Sequence, residues 1–156
     1  MKMKIPTTLR HKPVITSEDY DKIDGRFSGE SEAKGLSLGL AQWNDRGRVD
    51  ISAKVWRYSS GRWSNSSEEL PMHRVIDLAI LICKAKQYFD SPIPAKQYET
   101  NPNVDTITYD EGEMDISVCT DNPMINEDIR LFRDALSNDP YLDERLRTLA
   151  AILQNK

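Results

Sequence analysis

From Leu36 to Tyr58 apolar and polar residues alternate with a period of two. In LSLGLAQW, Leu36, Leu38 and Leu40 alternate with Ser37, Gly39 and Ala41, the pattern of a strand with one buried face. NDRG at 44–47 reads as a turn. RVDISAKVWRY then places Val49, Ile51, Ala53 and Val55 on one side and Asp50, Ser52, Lys54, Trp56 and Tyr58 on the other. SSG is a second turn and RWSNSS a short third strand, so the region is expected to form a three-stranded meander. Its aliphatic side should face the core and its rings should look outward.

The period then becomes helical. ELPMHRVIDLAILICKAKQYF, 69–89, has Pro71 for the first helical position, Glu68 and Glu69 for the positive end of the macrodipole, and Lys84 and Lys86 for the negative end. Apolar residues cover nearly its whole circumference from Val75 to Cys83, which predicts a central, buried helix. Residues 90–103, with Pro92, Pro94 and Pro102, form a linker that no helix crosses. A second hairpin follows, VDTITY and MDISVC joined by DEGE. Ile107 and Tyr109 share one side of its first strand, and Met114, Ile116 and Val118 one side of its second. Asn126 caps a helix from Glu127 to about Ser137. Asp139 and Pro140 open the last one, where Leu142, Leu146, Leu149, Ile152 and Leu153 recur at three and four.

The pattern sums to an α+β fold of order βββα-ββαα. An antiparallel sheet, the meander plus the second hairpin, packs against a central helix and two C-terminal helices. The first 34 residues read as extended chain and loop lying over the sheet, with one short helical turn between Ser17 and Ile23 and Phe27 as an anchor in DGRFSGESEAKG. A DIS triplet (50–52, 115–117) followed by a Pro-Met pair (71–72, 123–124) occurs twice, too short an echo to argue for duplication.

Length and charge refine this picture. A chain of 156 residues fits a single domain over 1–156, and 38% hydrophobic against 29% charged residues is too apolar for a disordered one. VIDLAILIC, broken by Asp77, is far short of the roughly 20 residues of a spanning helix, and MKMKIPTTLRH lacks the apolar run of a secretory signal. Cys83 and Cys119 show no paired spacing, so a cytoplasmic protein with reduced thiols is expected. Residues 1–66 hold 12 Lys/Arg against 8 Asp/Glu and residues 67–156 hold 9 against 17, so halves of +4 and −8 allow a basic face and head-to-tail self-association.

Three stretches carry a resemblance: HKPVITSEDYDKIDGR, AKGLSLGLAQWNDRGRVDISAKVWR and SEELPMHRVIDLAILI. Together they resemble a family of bacterial proteins, mostly of Bacillus and its relatives, whose domain has no assigned function. This implies a bacterial cytosolic protein and supplies no activity. The stretch from Val49 to Leu81 also resembles single-stranded-DNA-binding domains of the PC4-type coactivators, which set basic and aromatic strands before a helix. KGLSLGLAQW at 34–43 is similar to the KGISL and QW elements of that family, although here NDRG and another strand follow QW.

Candidate chemistry is sparse. With the aliphatic side inward, Trp43, Lys54, Trp56, Arg57, Tyr58, Arg62 and Trp63 would form an outer basic and aromatic surface. Stacking a base on an exposed ring is worth about 1–3 kcal/mol, and the basic side chains would attract phosphate. The plainer reading is that residues 1–34 cover these rings, or that a homodimer buries them. His73 and Asp77, four apart on the helix, would make an oriented base, a geometry that a salt-linked histidine explains equally well.

His11, His73, Cys83 and Cys119 lack the close ligand pair of a zinc site. The acidic runs YDEGEMD and TDNPMINED lack the rhythm of a calcium loop, and no phosphate loop, nucleophile elbow or HExxH occurs. No metal or cofactor is therefore expected. The expectation is a small, non-catalytic protein that binds itself or another macromolecule; a single-stranded nucleic-acid binder and an enzyme using His73 and Asp77 are the alternatives.

Overall fold

The twofold alternation folds as two long antiparallel strands, β2 (Ala33–Leu40) and β3 (Ile51–Ser59), in a computed structural model that describes residues 3–45, 47, 49–64, 67–91 and 97–155. The chain forms two compact units, Met1–Asp77 and Leu78–Lys156. The α+β class and the order βββα-ββαα hold, with two antiparallel sheets and the helices between and after them. No helix among the described residues is long and apolar enough to cross a membrane. Pro92 and Pro94 of the linker, Arg46 of the first turn, and Asn65 and Ser66 of the third strand lie outside the described residues.

In the first unit, β1 (Lys12–Ser17) pairs with β2, and β5 (Glu68–Pro71) pairs with β3. Both were missed. β1 is rich in β-branched residues and takes Pro13 at an edge, where the register shifts between Pro13 and Ile15 and no ladder N–H is needed. Pro71 ends β5 instead of opening the helix, because the segment before it is held by the ladder to β3. The expected third strand is β4 (Arg62–Trp63). It is joined to β3 by Ser60 (φ 54°) and Gly61 (φ 79°), the left-handed pair that a tight twisted hairpin requires. Single turns of 3-10 helix at Tyr20–Lys22 and Gly25–Phe27 precede β2, the first without the side-chain cap expected of Ser17.

The two sides of the sheet are reversed relative to the expectation. Trp56 is 1% exposed and Ser52 0%, whereas Ile51 is 53% exposed and Leu38 and Leu40 are 40%. Alternation was read correctly, but size decides which side closes. On β2 the inner side is Ala33, Gly35, Ser37 and Gly39, small enough for the indole of Trp56 and for the N-terminal segment to come down on it. A Cβ at Gly35 would lie 2.8 Å from Ile5 Cδ1, and one at Gly39 only 2.0 Å from the Lys12 carbonyl oxygen. The leucines on the other side leave no such approach.

Helix α1 (Met72–Asp90) contains the boundary between the units and continues into the second. Expected as the most buried helix, it has no buried residue. Its apolar side chains spread around the whole circumference, and Val75, Ile76, Leu78, Leu81 and Ile82 are exposed. In the second unit, Lys84 Nζ is 2.8 Å from Asp105 Oδ2 on strand β6 (Asn103–Tyr109), which pairs with β7 (Gly112–Ser117). Ile116 is buried while its neighbours Asp115 and Ser117 are exposed, as the alternation predicted.

Between α1 and β6 lies α2 (Gln97–Thr100). Helix α3 (Ile125–Ser137) starts earlier than expected, at Met124, and without a side-chain cap. Asn126 sits inside the helix, its amide oxygen accepting from the Tyr98 hydroxyl. Helix α4 (Pro140–Gln154) is capped as predicted, Asp139 Oδ1 accepting from the backbone N–H of Tyr141 and of Leu142 at 3.0 Å each.

Candidate functional site

The inner side of the first sheet holds a connected network of buried polar side chains. Ser37 and Ser52 occupy inner positions of β2 and β3, Glu69 an inner position of β5, and His11 enters from the segment just before β1. Trp56 Nε1–H donates to Ser37 Oγ at 2.8 Å. Ser37 Oγ lies 2.9 Å from His11 Nε2, and His11 Nδ1 is 3.0 Å from Ser52 Oγ and 3.3 Å from Glu69 Oε2. Ser52 Oγ–H donates to Glu69 Oε2 at 2.8 Å, and the backbone N–H of Gln42 donates to the same oxygen at 2.9 Å.

These contacts assign the hydrogens. Ser37 Oγ accepts from Trp56, so its own hydrogen is available to His11 Nε2, and the ring proton then belongs on Nδ1, facing Ser52 and Glu69. Every donor in the chain from Trp56 to Glu69 finds an acceptor with His11 neutral. Burial pushes the His11 pKa below its ordinary value, against the opposing pull of the Glu69 carboxylate. Lys54 lies with Nζ 3.9 Å from Glu69 Oε1 and 3.9 Å over the Trp56 ring, and burial lowers its pKa as well, again opposed by Glu69. Glu69 Oε1 accepts no hydrogen bond among the described residues.

The order serine, histidine, carboxylate is that of a nucleophile with an oriented base. Access decides against that chemistry. Ser37, His11 and Ser52 are buried, Trp56 closes the Ser37 side, and the Ser37 oxygen that would attack is already holding the indole N–H. The network ties the N-terminal segment, β2, β3 and β5 together through side chains.

The seven residues expected on one outer surface do not share one. Trp56 and Lys54 are on the inner side; with both faces of its indole enclosed, Trp56 has no room to stack on a base. Trp56 and Trp63 meet edge to face at 5.7 Å, and Tyr58 and Trp63 at 5.2 Å, an aromatic ladder on the same side. Arg57 is held by Glu68, its Nε and Nη2 donating to Oε1 at 2.9 and 2.7 Å, which raises its pKa. Arg62 is exposed.

Trp43, 38% exposed, donates through Nε1–H to Asp50 Oδ2 at 2.8 Å. It lines a cleft of about 930 Å³ with Asp50, Glu69, His73 and Arg74, which shares Glu69 with the buried network. Trp43 and His73 both line this cleft, and His73 is exposed. Asp77 is half-buried on the same helix. Cys83 is half-buried and Cys119 exposed, both as free thiols.

His11, Ser37, Ser52 and Glu69 were missed as a group. His11 lies 26 residues from Ser37 and 58 from Glu69, separations that no motif spans. The one local signal was the run of Ala, Gly, Ser and Gly at alternate positions of β2, which marks a face meant for close approach.

Residues 3–156 match the model of a family described as Family of unknown function (DUF6530). No curated protein and no solved structure matches the chain.

Proposed function

Because the chain belongs to that family of unknown function, no activity comes to it from relatives, and we propose from the geometry that it acts by binding, through the aliphatic side of its first sheet, with a second copy of the chain as partner. The observation that carries this is the exposure of that side. Ile15 pairs with Leu38 across β1 and β2, and Leu38 with Ala53 and Leu40 with Ile51 across β2 and β3, so the side chains form one continuous patch. Ile15 is 62% exposed and the others, Ala53 apart, are two-fifths exposed or more. Monomers rarely leave a contiguous apolar patch of more than a few hundred Å² in water.

A second copy suits the patch for two reasons. Face-to-face sheets about 10 Å apart interdigitate aliphatic side chains, and a twofold axis brings the same residues of both copies together. Leu38, Ala53, Leu40 and Ile51 carry no charge, and the ionisable residues paired on this side, Lys12 opposite Leu40 and Glu68 opposite Val55, are of opposite sign and lie on the outer strands. Light scattering coupled to gel filtration should give twice the 17.9 kDa chain mass, and Leu38→Lys with Ile51→Lys should return it to the monomer while circular dichroism stays unchanged. A wild-type monomer at the highest soluble concentration sinks the reading.

The cleft at Trp43 favours a second reading, a small-molecule or catalytic site using His73, with Asp77 one turn further along the same helix and outside the cleft lining. Its support is an exposed imidazole and an indole lining one concave site. A fragment screen read from the Trp43 indole and His73 ring signals in NMR tests it. Unmoved signals at both remove it.

A further inference from the structure

The second unit contains a concave pocket of about 440 Å³, within the range of about 300–1,000 Å³ in which proteins hold small molecules. Helix α1 supplies Leu81, Ala85 and Phe89 to one wall, and β7 and α3 supply Ile116, Ile129 and Phe132 to the others. Phe89 and Phe132 meet edge to face at 5.9 Å. Of the side chains lining this pocket, the one carboxyl group is that of Asp128, in the exposed first turn of α3. Its Oδ2 accepts from Asn122 Nδ2 at 2.9 Å, and a carboxylate has lone pairs for further donors.

We propose that this pocket binds a cationic amphiphile, its hydrocarbon or aromatic body seated among the aliphatic and aromatic walls and its ammonium head beside Asp128. Volume, lining and charge each narrow the class. A space of 440 Å³ takes a small molecule and not a helix of a protein partner. The walls are mostly Leu, Ile, Val, Ala and Phe, and besides Asp128 their oxygen-bearing side chains are Tyr88 and Ser117, too few to satisfy the ring of hydroxyls on a sugar or the phosphates of a nucleotide but enough to hold one polar head. The sign of the charge then separates an amine from a fatty acid. Residues 78–156 hold 8 Lys/Arg against 14 Asp/Glu, a net −6, so the field of the unit favours a cation in the same sense as Asp128 does locally. The proposal is independent of self-association, which concerns the other unit.

Isothermal titration of the full chain with decylamine, decanol and decanoate tests it. Decylamine should bind with saturation, decanol less tightly and decanoate least. Shortening the amine from decyl to octyl should weaken binding by about tenfold, the effect of leaving two methylenes out of an apolar site. Asp128→Asn should weaken decylamine about fivefold, the size of one charge contact in water, and leave decanol unchanged. Ile129→Trp should fill the pocket and abolish binding of both, with Ala85→Phe from the opposite wall as the second variant if the first does not fold. Absence of saturable binding, decanoate as tight as decylamine, or binding that survives a folded pocket-filling variant overturns the proposal.

Discussion

His11 is held neutral by position. With the proton on Nδ1 both ring nitrogens are partnered and Ser52 Oγ–H stays on Glu69, whereas protonating Nε2 as well would put two donors on Ser37 Oγ and take away the acceptor for its own hydrogen. Its pKa is lower in the folded chain than in the unfolded one, so the unfolded state binds the proton first. The stability that neutral His11 contributes is present above about pH 6.5, the unfolded value, and declines as pH falls below it toward the folded value. Urea unfolding midpoints should therefore drop between pH 7 and pH 5, and His11→Phe, though less stable, should flatten the drop; an unchanged slope removes the assignment. Trp56→Phe deletes the N–H to Ser37 and part of a buried ring, for an expected loss of about 1–3 kcal/mol. Trp43→Phe, at an exposed ring, should stay within about 0.5 kcal/mol of wild type. Comparable losses for the two would contradict the burial of Trp56.

At the scale of elements, close approach is what makes the first sheet. Gly39→Ala puts a methyl 2.0 Å from the Lys12 carbonyl oxygen, a backbone atom that moves only if β1 moves. Gly35→Ala meets chiefly the end of the Ile5 side chain, which rotates more easily. We expect Gly39→Ala to cost about 1–3 kcal/mol and Gly35→Ala less. Amide exchange over Lys12–Ser17 should quicken in the first variant and much less in the second; the reverse order would refute the argument. Helix α4 depends on its cap: Asp139→Ala removes the acceptor for two N–H groups and should cost about 1 kcal/mol, read from thermal unfolding.

At the scale of the whole molecule, the two halves differ in charge and the first sheet has an aliphatic side in water. These features make different forecasts. Association through the sheet should persist or strengthen in about 1 M salt, where exposed charges separated by more than about 3 Å are screened and apolar contact is not. Head-to-tail association of the +4 and −8 halves should dissolve under the same conditions. Light scattering across a salt series separates them.

Local chemistry was legible wherever a rule acts within a few residues. The period of two located β2, β3 and the hairpin of β6 and β7, Asp139 and Pro140 marked the start of α4, and the helix expected over 69–89 forms over 72–90. What the tertiary structure alone decided was which side of the first sheet is the inside. Periodicity divides a strand into two sides without ranking them, and the ranking came from size: the Gly, Ala and Ser side of β2 admits Ile5 and the indole of Trp56, and the leucine side does not. His11 joined Ser37, Ser52 and Glu69 by the same cause, since partners brought together across dozens of residues are chosen by the space left between strands and not by any spacing along the chain.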